Sequence, residues 1–539
     1  RREEWTRVGT GERAALLRDC LAGVERAAAQ WVALSCEAQQ IEPGNAAAGE
    51  LWLSGPTVAA RCLRTMAVAM DHGGAPPPRE LTERGGQWVA TVTPANLLER
   101  MVFYGIEAEL WLEPGAPASQ GRTYRDKADG VGAEGGVALV LGAGNISSIT
   151  TGDVVHKLFV DDEVVVLKMH PVNEYLGPLL EEAFRPLVER GFLRIVYGGA
   201  EIGAAICADP RVTSLHLTGS DRTYDAIVWG ADAADRERRK SAGDPVITKP
   251  VTAELGCVSP VIVVPGDWSE SDLDYQAQSI AGMVTNNGSF NCNAAKVLML
   301  ARGWKHRDAF MDRLRTVLAR TPQRHAYYPG ARERYDAFIG RYPGAEALGP
   351  DPGPGEVPWT VIPGVPAERG EYALTQEAFC GLLTQVDVEA DGPEEFLERA
   401  VDLANDRLWG SLTAMLIVDP QTQARVPDLV EAAVRRLRYG GVAVNCWSGY
   451  LFGLAATSWG AFPGNRPEDI GSGIGTVGNT LLFDHPQKSV VRSKFRAWPK
   501  PVWFADHRNL EAVGRRLVGF EAAPGWSLLP GLVAAAVRG

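Results

Sequence analysis

Gly136-Val137-Ala138-Leu139-Val140-Leu141-Gly142-Ala143-Gly144-Asn145 is the stretch on which the fold turns. A short continuous apolar run ends abruptly in glycines, which suits a buried strand better than a helix. Three more such runs follow at 164–167, 193–196 and 214–217. Segments of helical length lie between them, at about 149–160, 174–190 and 201–208. Strand and helix alternating in units of this size predict a parallel sheet with crossover helices. Ligands of such sheets bind beyond the carboxyl ends of the strands. Here those ends carry Gly142-Ala143-Gly144-Asn145, Lys168-Met169-His170-Pro171, Gly198-Gly199-Ala200-Glu201 and Thr218-Gly219-Ser220. That is the layout of a nucleotide site, although Gly and Pro also serve any turn.

The chain has 539 residues, so two or more domains are expected. Its net charge of -12, with no Lys/Arg-rich run to offset it, argues against a nucleic-acid surface. The short basic cluster 236–240 contains acids and reads as a solvated helix end or loop. Eight Cys are scattered with no C-x-x-C pair, which fits reduced thiols in a cytoplasmic protein. The eight His form no H-x-x-x-H pair, and no metal site is expected. No apolar run approaches the roughly 18 residues of a membrane span. Arg1-Arg2-Glu3-Glu4-Trp5 does not read as a signal peptide. With no initiator Met, the chain is expected to begin upstream of Arg1.

Outward from the strand-helix repeat, 11–40 and 48–70 show helical periodicity. The segment 114–130 reads as a loop or an exposed hairpin, 231–249 as a polar loop, and 340–370, dense in Pro and Gly, as a surface loop. Further strands are expected at 261–264 and 411–418, and helices at 269–285, 396–405 and 428–438. Gly473-Ile474-Gly475-Thr476-Val477-Gly478 matches G-x-G-x-x-G by letter. It lacks the strand before and the helix after that the motif requires, so it reads as a decoy. In 286–296 a single Cys292 sits among small and amide residues. Small neighbours let a substrate carbon reach the sulfur, and amide donors can hold an oxyanion. The apolar run 294–300 could open a helix or a strand; a helix dipole there would make thiolate. A buried structural Cys is the bland alternative.

Taken in order, these pieces resemble the aldehyde dehydrogenase superfamily. Gly144-Asn145 resembles its Asn after a strand, and Lys168 its strand-terminal Lys. Thr218-Gly219-Ser220 resembles its T-G-S turn, and Glu254-Leu255-Gly256 its E-L-G-G stretch. Asn291-Cys292 matches its nucleophile segment. Glu377-Ala378-Phe379 resembles its E-x-F-G-P and Val444-Asn445 its late V-N, so the likeness runs over about 135–480. Three positions depart: Cys257 and Cys380-Gly381 replace Gly and Gly-Pro, and Pro171 stands where many NAD-using members carry a ribose-binding Glu.

The resemblance implies an α/β fold with a Rossmann-like cofactor domain, an α/β catalytic domain and an oligomerisation hairpin. The domains would be 1–256 for the dinucleotide, with 114–130 as the hairpin, 257–445 for catalysis, and 446–539 completing cofactor and oligomer contacts. It implies oxidation of an aldehyde to an acid with NAD, NADP being possible, in a homodimer or homotetramer. Cys292 would attack the aldehyde carbon, with Asn145 and the Cys292 backbone N–H holding the oxyanion. Glu254 would activate water against the resulting thioester. Lys168 and Glu377 would each hold a ribose, Phe379 would pack near the nicotinamide ribose, and Gly219 and Ser220 would lie near the cofactor. The alternatives are a relative that passes the acyl group to coenzyme A or runs as an acyl-CoA reductase, since His170-Pro171 resembles those enzymes, and a non-catalytic structural homologue. Glu254, which many acylating relatives lack, argues for hydrolysis. Trp447, Tyr450, Phe452 and Trp459 either line a tunnel for a bulky apolar substrate or belong to the core.

Overall fold

The computed structural model describes residues 1–42, 44–128 and 134–539. Its smaller sheet has six strands, in the order Gly473–Ile474, Val251–Leu255, Ser214–Gly219, Gly136–Leu141, Glu163–Lys168 and Leu193–Val196. The first is an antiparallel edge and the other five run parallel. Helices Ile149–Phe159 and Ala200–Ala208 are crossovers of the expected kind. Thr10–Ala38 and Val58–Asp71 pack on the side of Ile149–Phe159, around Leu17, Val24, Leu63 and Met66. Strand Val251–Leu255 escapes the sequence reading because Thr252 and Glu254 break its apolar run.

The larger sheet has eleven strands. Pro260–Val263 and Val297–Ala301 lie at its centre, buried at every position. Leu382–Val388, Thr413–Ile417, Gly441–Val444 and Pro486–Arg492 extend it in parallel. Three antiparallel strands, Glu80–Glu83, Trp88–Thr93 and Glu107–Leu112, then add to Pro486–Arg492. These three come from the first part of the chain, where no strand is expected from sequence. They bury Val89, Val92, Leu110 and Trp111 against the larger sheet's own core.

The run after Cys292, open to helix or strand from sequence, is the strand Val297–Ala301, so no helix dipole faces the thiol. Three local readings are corrected. The polar loop 231–249 contains a helix, Ala233–Ala242, capped by Asp232 and braced by Asp235 with Arg239. Within 340–370 lie two short strands, Glu346–Leu348 and Trp359–Ile362, at the end of the larger sheet. The segment 114–130 forms no hairpin over its described part; it carries the helix Arg122–Ala128, tied by Arg125 to Asp484. Residues 129 and 130 lie outside the described residues. The decoy glycines form the short strands Gly473–Ile474 and Thr476–Gly478, the first paired against Glu254 and Ala253.

Candidate active site

Cys292 is presented by a loop that follows helix Glu270–Thr285. Asn287, Gly288 and Ser289 are all left-handed, with φ of 53°, 64° and 68°. Two of the three are non-glycine, a conformation that persists only when its surroundings over-determine it. Asn287 Nδ2 donates to Phe290 O at 3.2 Å and to Asn291 Oδ1 at 3.2 Å, and Glu50 accepts from the Asn287 N–H at 2.9 Å. Buried Lys296 donates to Ser289 O, to Ser289 Oγ and to Cys380 O, tying this loop to the one that carries Glu377 and Phe379. Asn145, after the first strand, donates one side-chain N–H to Phe290 O at 3.0 Å. An amide has two such donors, so the second is left for an oxygen beside Cys292.

Glu254 is buried against Cys292. Burial, and next the charge of Asp153, push its carboxyl up to about 8. Its Oε1 has no hydrogen-bond partner among the described residues, and neither does the nearby Trp459 Nε1. Burial, with Glu254 and Glu377 close by, pushes the Cys292 thiol well above its ordinary value. The thiol is therefore neutral at rest.

All eight expected residues, Cys292, Glu254, Asn145, Lys168, Gly219, Ser220, Glu377 and Phe379, line one cavity of about 1220 Å³. Glycines form part of its wall, and at Gly199 nothing lies within 4 Å of where a Cβ would stand. Lys168 is buried at its strand end. Glu377 accepts the Cys257 N–H at 3.2 Å. Phe379, at φ 42°, packs edge-on against Tyr328 with centroids 4.9 Å apart. Burial and Lys168 push His170 down to about 4, so it is neutral at physiological pH. The sequence reading overlooked Arg222, Tyr328 and Arg334 on this wall, which come from turns and helices without a local signature.

A second, smaller cavity of about 160 Å³ meets the first at Cys292. Trp447, Tyr450, Phe452 and Trp459 line it, together with Phe103 and Trp503. Cys292 thus stands between a long cleft at the strand ends and an aromatic pocket.

Residues 137–330 match the model of the Aldehyde dehydrogenase family. Over those residues the chain is similar to the aldehyde dehydrogenase family. That match contains Asn145, Lys168, Gly219, Ser220, Glu254 and Cys292 but stops short of Glu377. A probable aldehyde dehydrogenase of Streptomyces coelicolor is 25% identical over 325 residues, covering 56% of this chain and 56% of its own. The betaine aldehyde dehydrogenase of Beta vulgaris chloroplasts is 26% identical over 305 residues and is covered over 53% of its length. The chain thus spans about half the length of these curated relatives. Among solved structures, a gamma-glutamyl-gamma-aminobutyraldehyde dehydrogenase from Burkholderia cenocepacia superposes with a TM-score of 0.62 at 20% identity, over 92% of this chain and 86% of that one. At that identity the likeness speaks for the superfamily's fold.

Proposed function

We propose that this protein oxidises an aldehyde to a carboxylic acid with a nicotinamide dinucleotide. The observation that carries the reading is the position of Cys292, at the junction of the glycine-walled cleft and the aromatic pocket, with Glu254 beside it. The cleft fits a dinucleotide: glycines form part of its wall, and it holds Lys168 and Glu377 for two riboses and Phe379 for the nicotinamide end. Gly219 and Ser220 would lie against the same group. Bound NAD would supply the hydride acceptor.

The chain's own residues would do the rest. Cys292 Sγ loses its proton as it attacks the aldehyde carbon, and Glu254 is the base in contact with it. The oxyanion is met by the second N–H of Asn145 and by the Cys292 backbone N–H. After hydride leaves, a thioester remains on Cys292. Once it has given up the thiol's proton, Glu254 takes one from water, the hydroxide oxygen adds to the acyl carbon, and the C–S bond breaks to leave the Cys292 thiolate, which takes that proton back. The aromatic lining of the second pocket favours an apolar, flat aldehyde over a small polar one.

NAD is favoured over NADP because His170, beside Pro171, is neutral and Arg222 stands next to Asp221. The test is an aldehyde panel with each cofactor, read by absorbance of the reduced dinucleotide. No reduction with any aldehyde would defeat the proposal. Turnover only when coenzyme A is added would favour the acylating alternative.

A further inference from the structure

Part of the aromatic pocket's wall is charged, and the reaction leaves it unused. Arg61, on helix Val58–Asp71, lines the pocket together with Glu521, from helix Leu510–Ala522 near the end of the chain. Both are buried. Arg61 Nε donates to Leu454 O at 2.9 Å, and its Nη1 donates to Glu99 Oε1 at 3.2 Å and to Glu521 Oε1 at 3.0 Å. The guanidinium lies over the ring of Phe103, 4.6 Å from its centroid. Phe103 and Leu454 line the same pocket, so their contacts hold Arg61 at its wall.

A guanidinium carries five N–H groups, two of them on Nη2. The hydrogen bonds of Arg61 run through Nε and Nη1, and Nη2 has no acceptor among the described residues. A buried donor without a partner is costly, and a ligand that brings one oxygen removes that cost. The charges around it are already balanced. Arg64 donates to Glu521 Oε2 at 2.7 Å and to Glu99 Oε1 at 2.9 Å, so Arg61 and Arg64 together face Glu99 and Glu521. Burial alone would raise the Glu99 carboxyl, but Arg61 and Arg64 outweigh it and hold it down at about 2. The wall's other carboxylate, Glu50, pairs with Arg324 at 3.0 Å and accepts the Asn287 N–H. The wall therefore offers a hydrogen-bond donor without net charge. A carboxylate brought there would meet Glu521, and an ammonium would meet Arg61.

We infer that this pocket takes aldehydes that end, away from the carbonyl, in a neutral oxygen acceptor: an ether, ketone or hydroxyl oxygen that accepts from Arg61 Nη2. The inference rests on the reading of Cys292 as the residue that attacks the aldehyde. With the carbonyl carbon at Cys292, the apolar middle of the substrate lies among Trp447, Tyr450, Phe452 and Trp459, and its distal oxygen meets Arg61. Arg61 sets specificity and touches no reacting atom. Glu521 is a positioning residue, holding the guanidinium through Nη1.

The test compares substrates that differ by one oxygen in place of a methylene. They are 4-methoxyphenylacetaldehyde against 4-ethylphenylacetaldehyde, and the same pair one carbon longer as 3-arylpropanals. Methylenes insulate the ring from the carbonyl in all four, so the substituent leaves the carbonyl's reactivity alone. The full chain with NAD is assayed for kcat/KM by absorbance of the reduced cofactor. The oxygen member should be favoured by roughly tenfold to a hundredfold in at least one pair, the worth of a hydrogen bond to a charged group. The 4-carboxy and 4-trimethylammonio phenylacetaldehydes should be poorer substrates than the ether. In Arg61→Met, which keeps an apolar stem and loses the guanidinium, the preference for oxygen should disappear. That ratio does not register general damage, which slows both members alike; if the variant does not fold, the wild-type ratios decide alone. Equal kcat/KM within both pairs would overturn the inference, as would a preference that survives in Arg61→Met or a charged substrate that exceeds the ether. In those cases aldehydes are still oxidised and the reading of Cys292 stands. No reduction with any aldehyde would remove that reading, and the inference with it.

Discussion

Replacing Glu254 with Gln separates the two halves of the reaction. In the wild type the carboxyl ionises near pH 8, because burial and Asp153 disfavour its charge. A general base works only when ionised, so about one-tenth of the molecules are competent for hydrolysis at pH 7. The steady-state rate should rise about ninefold from pH 6 to 7, about fivefold from 7 to 8, and level off above 9. Gln cannot accept the proton, and loss of a general base costs about 10²–10⁴-fold. Rapid mixing of the variant with aldehyde and NAD should show a burst near one reduced cofactor per site, slowed because Gln cannot take the Cys292 proton either, then a still slower and pH-independent phase. Intact mass should find the acyl group on Cys292. A stability readout has its own sign. A carboxyl raised from 4.5 to about 8 favours the folded state fully below 4.5, and that contribution is lost as pH rises through 8. The Gln variant should therefore melt above the wild type at pH 9, with the gap shrinking towards pH 5. Full steady-state activity in the variant, or a wild-type rate flat from pH 6 to 8, would refute the assignment.

Cys292→Ala should remove both burst and steady state, because no thiohemiacetal can form; residual cofactor reduction at a tenth of wild type would point to another nucleophile. Asn145→Ala should slow the burst by about 10²–10³-fold, the usual cost of one oxyanion donor, and an unchanged burst would show that its bond to Phe290 O is its whole role. Fluorescence titration should give tighter binding of NAD than of NADP, and the reverse order would overturn the reading of the Lys168–Pro171 wall. Light scattering at micromolar concentration should find a dimer or tetramer, the exposed edge strand Glu80–Glu83 offering an unpaired ladder to a second copy. A strictly monomeric mass would leave the antiparallel strands as a purely internal extension of the larger sheet.

What the sequence made legible is what lies at strand ends. Asn145, Lys168 and the turn Thr218-Gly219-Ser220 each follow an apolar run, so local pattern placed them. The resemblance was needed for Glu254 and Glu377, which sit in segments with no such pattern. The antiparallel strands 80–112 were missed although Trp88–Thr93 is rich in β-branched residues and pairs with its sequence neighbours; Pro486–Arg492, the strand that joins them to the larger sheet, is almost 400 residues from Glu107–Leu112. The aromatic pocket was undecidable for a similar reason. Trp447 and Trp459 belong to the core or to a tunnel according to what packs opposite them, and Phe103 and Trp503 come from distant parts of the chain. The Arg61–Glu521 contact joins two helices from distant parts of the chain, and neither residue has a local signature.

The strand at Val297–Ala301 decides between two ways of activating the thiol. A helix opening after Cys292 would have lowered its pKa with a fixed dipole. The chain supplies a strand there, and two carboxyl groups press the thiol in the opposite direction. Burial and these carboxyls favour the thiol over the thiolate, which fits loss of the Cys292 proton during the attack itself. Glu254, in contact with the sulfur and ionising near 8, is matched to receive it. The same carboxyl is then needed as a base a second time, against water. A residue used twice in one turnover must be emptied between uses, in a pocket closed by substrate on one side and cofactor on the other. Burial that suits Glu254 to both proton transfers is thus also what makes its discharge between them a step of the reaction.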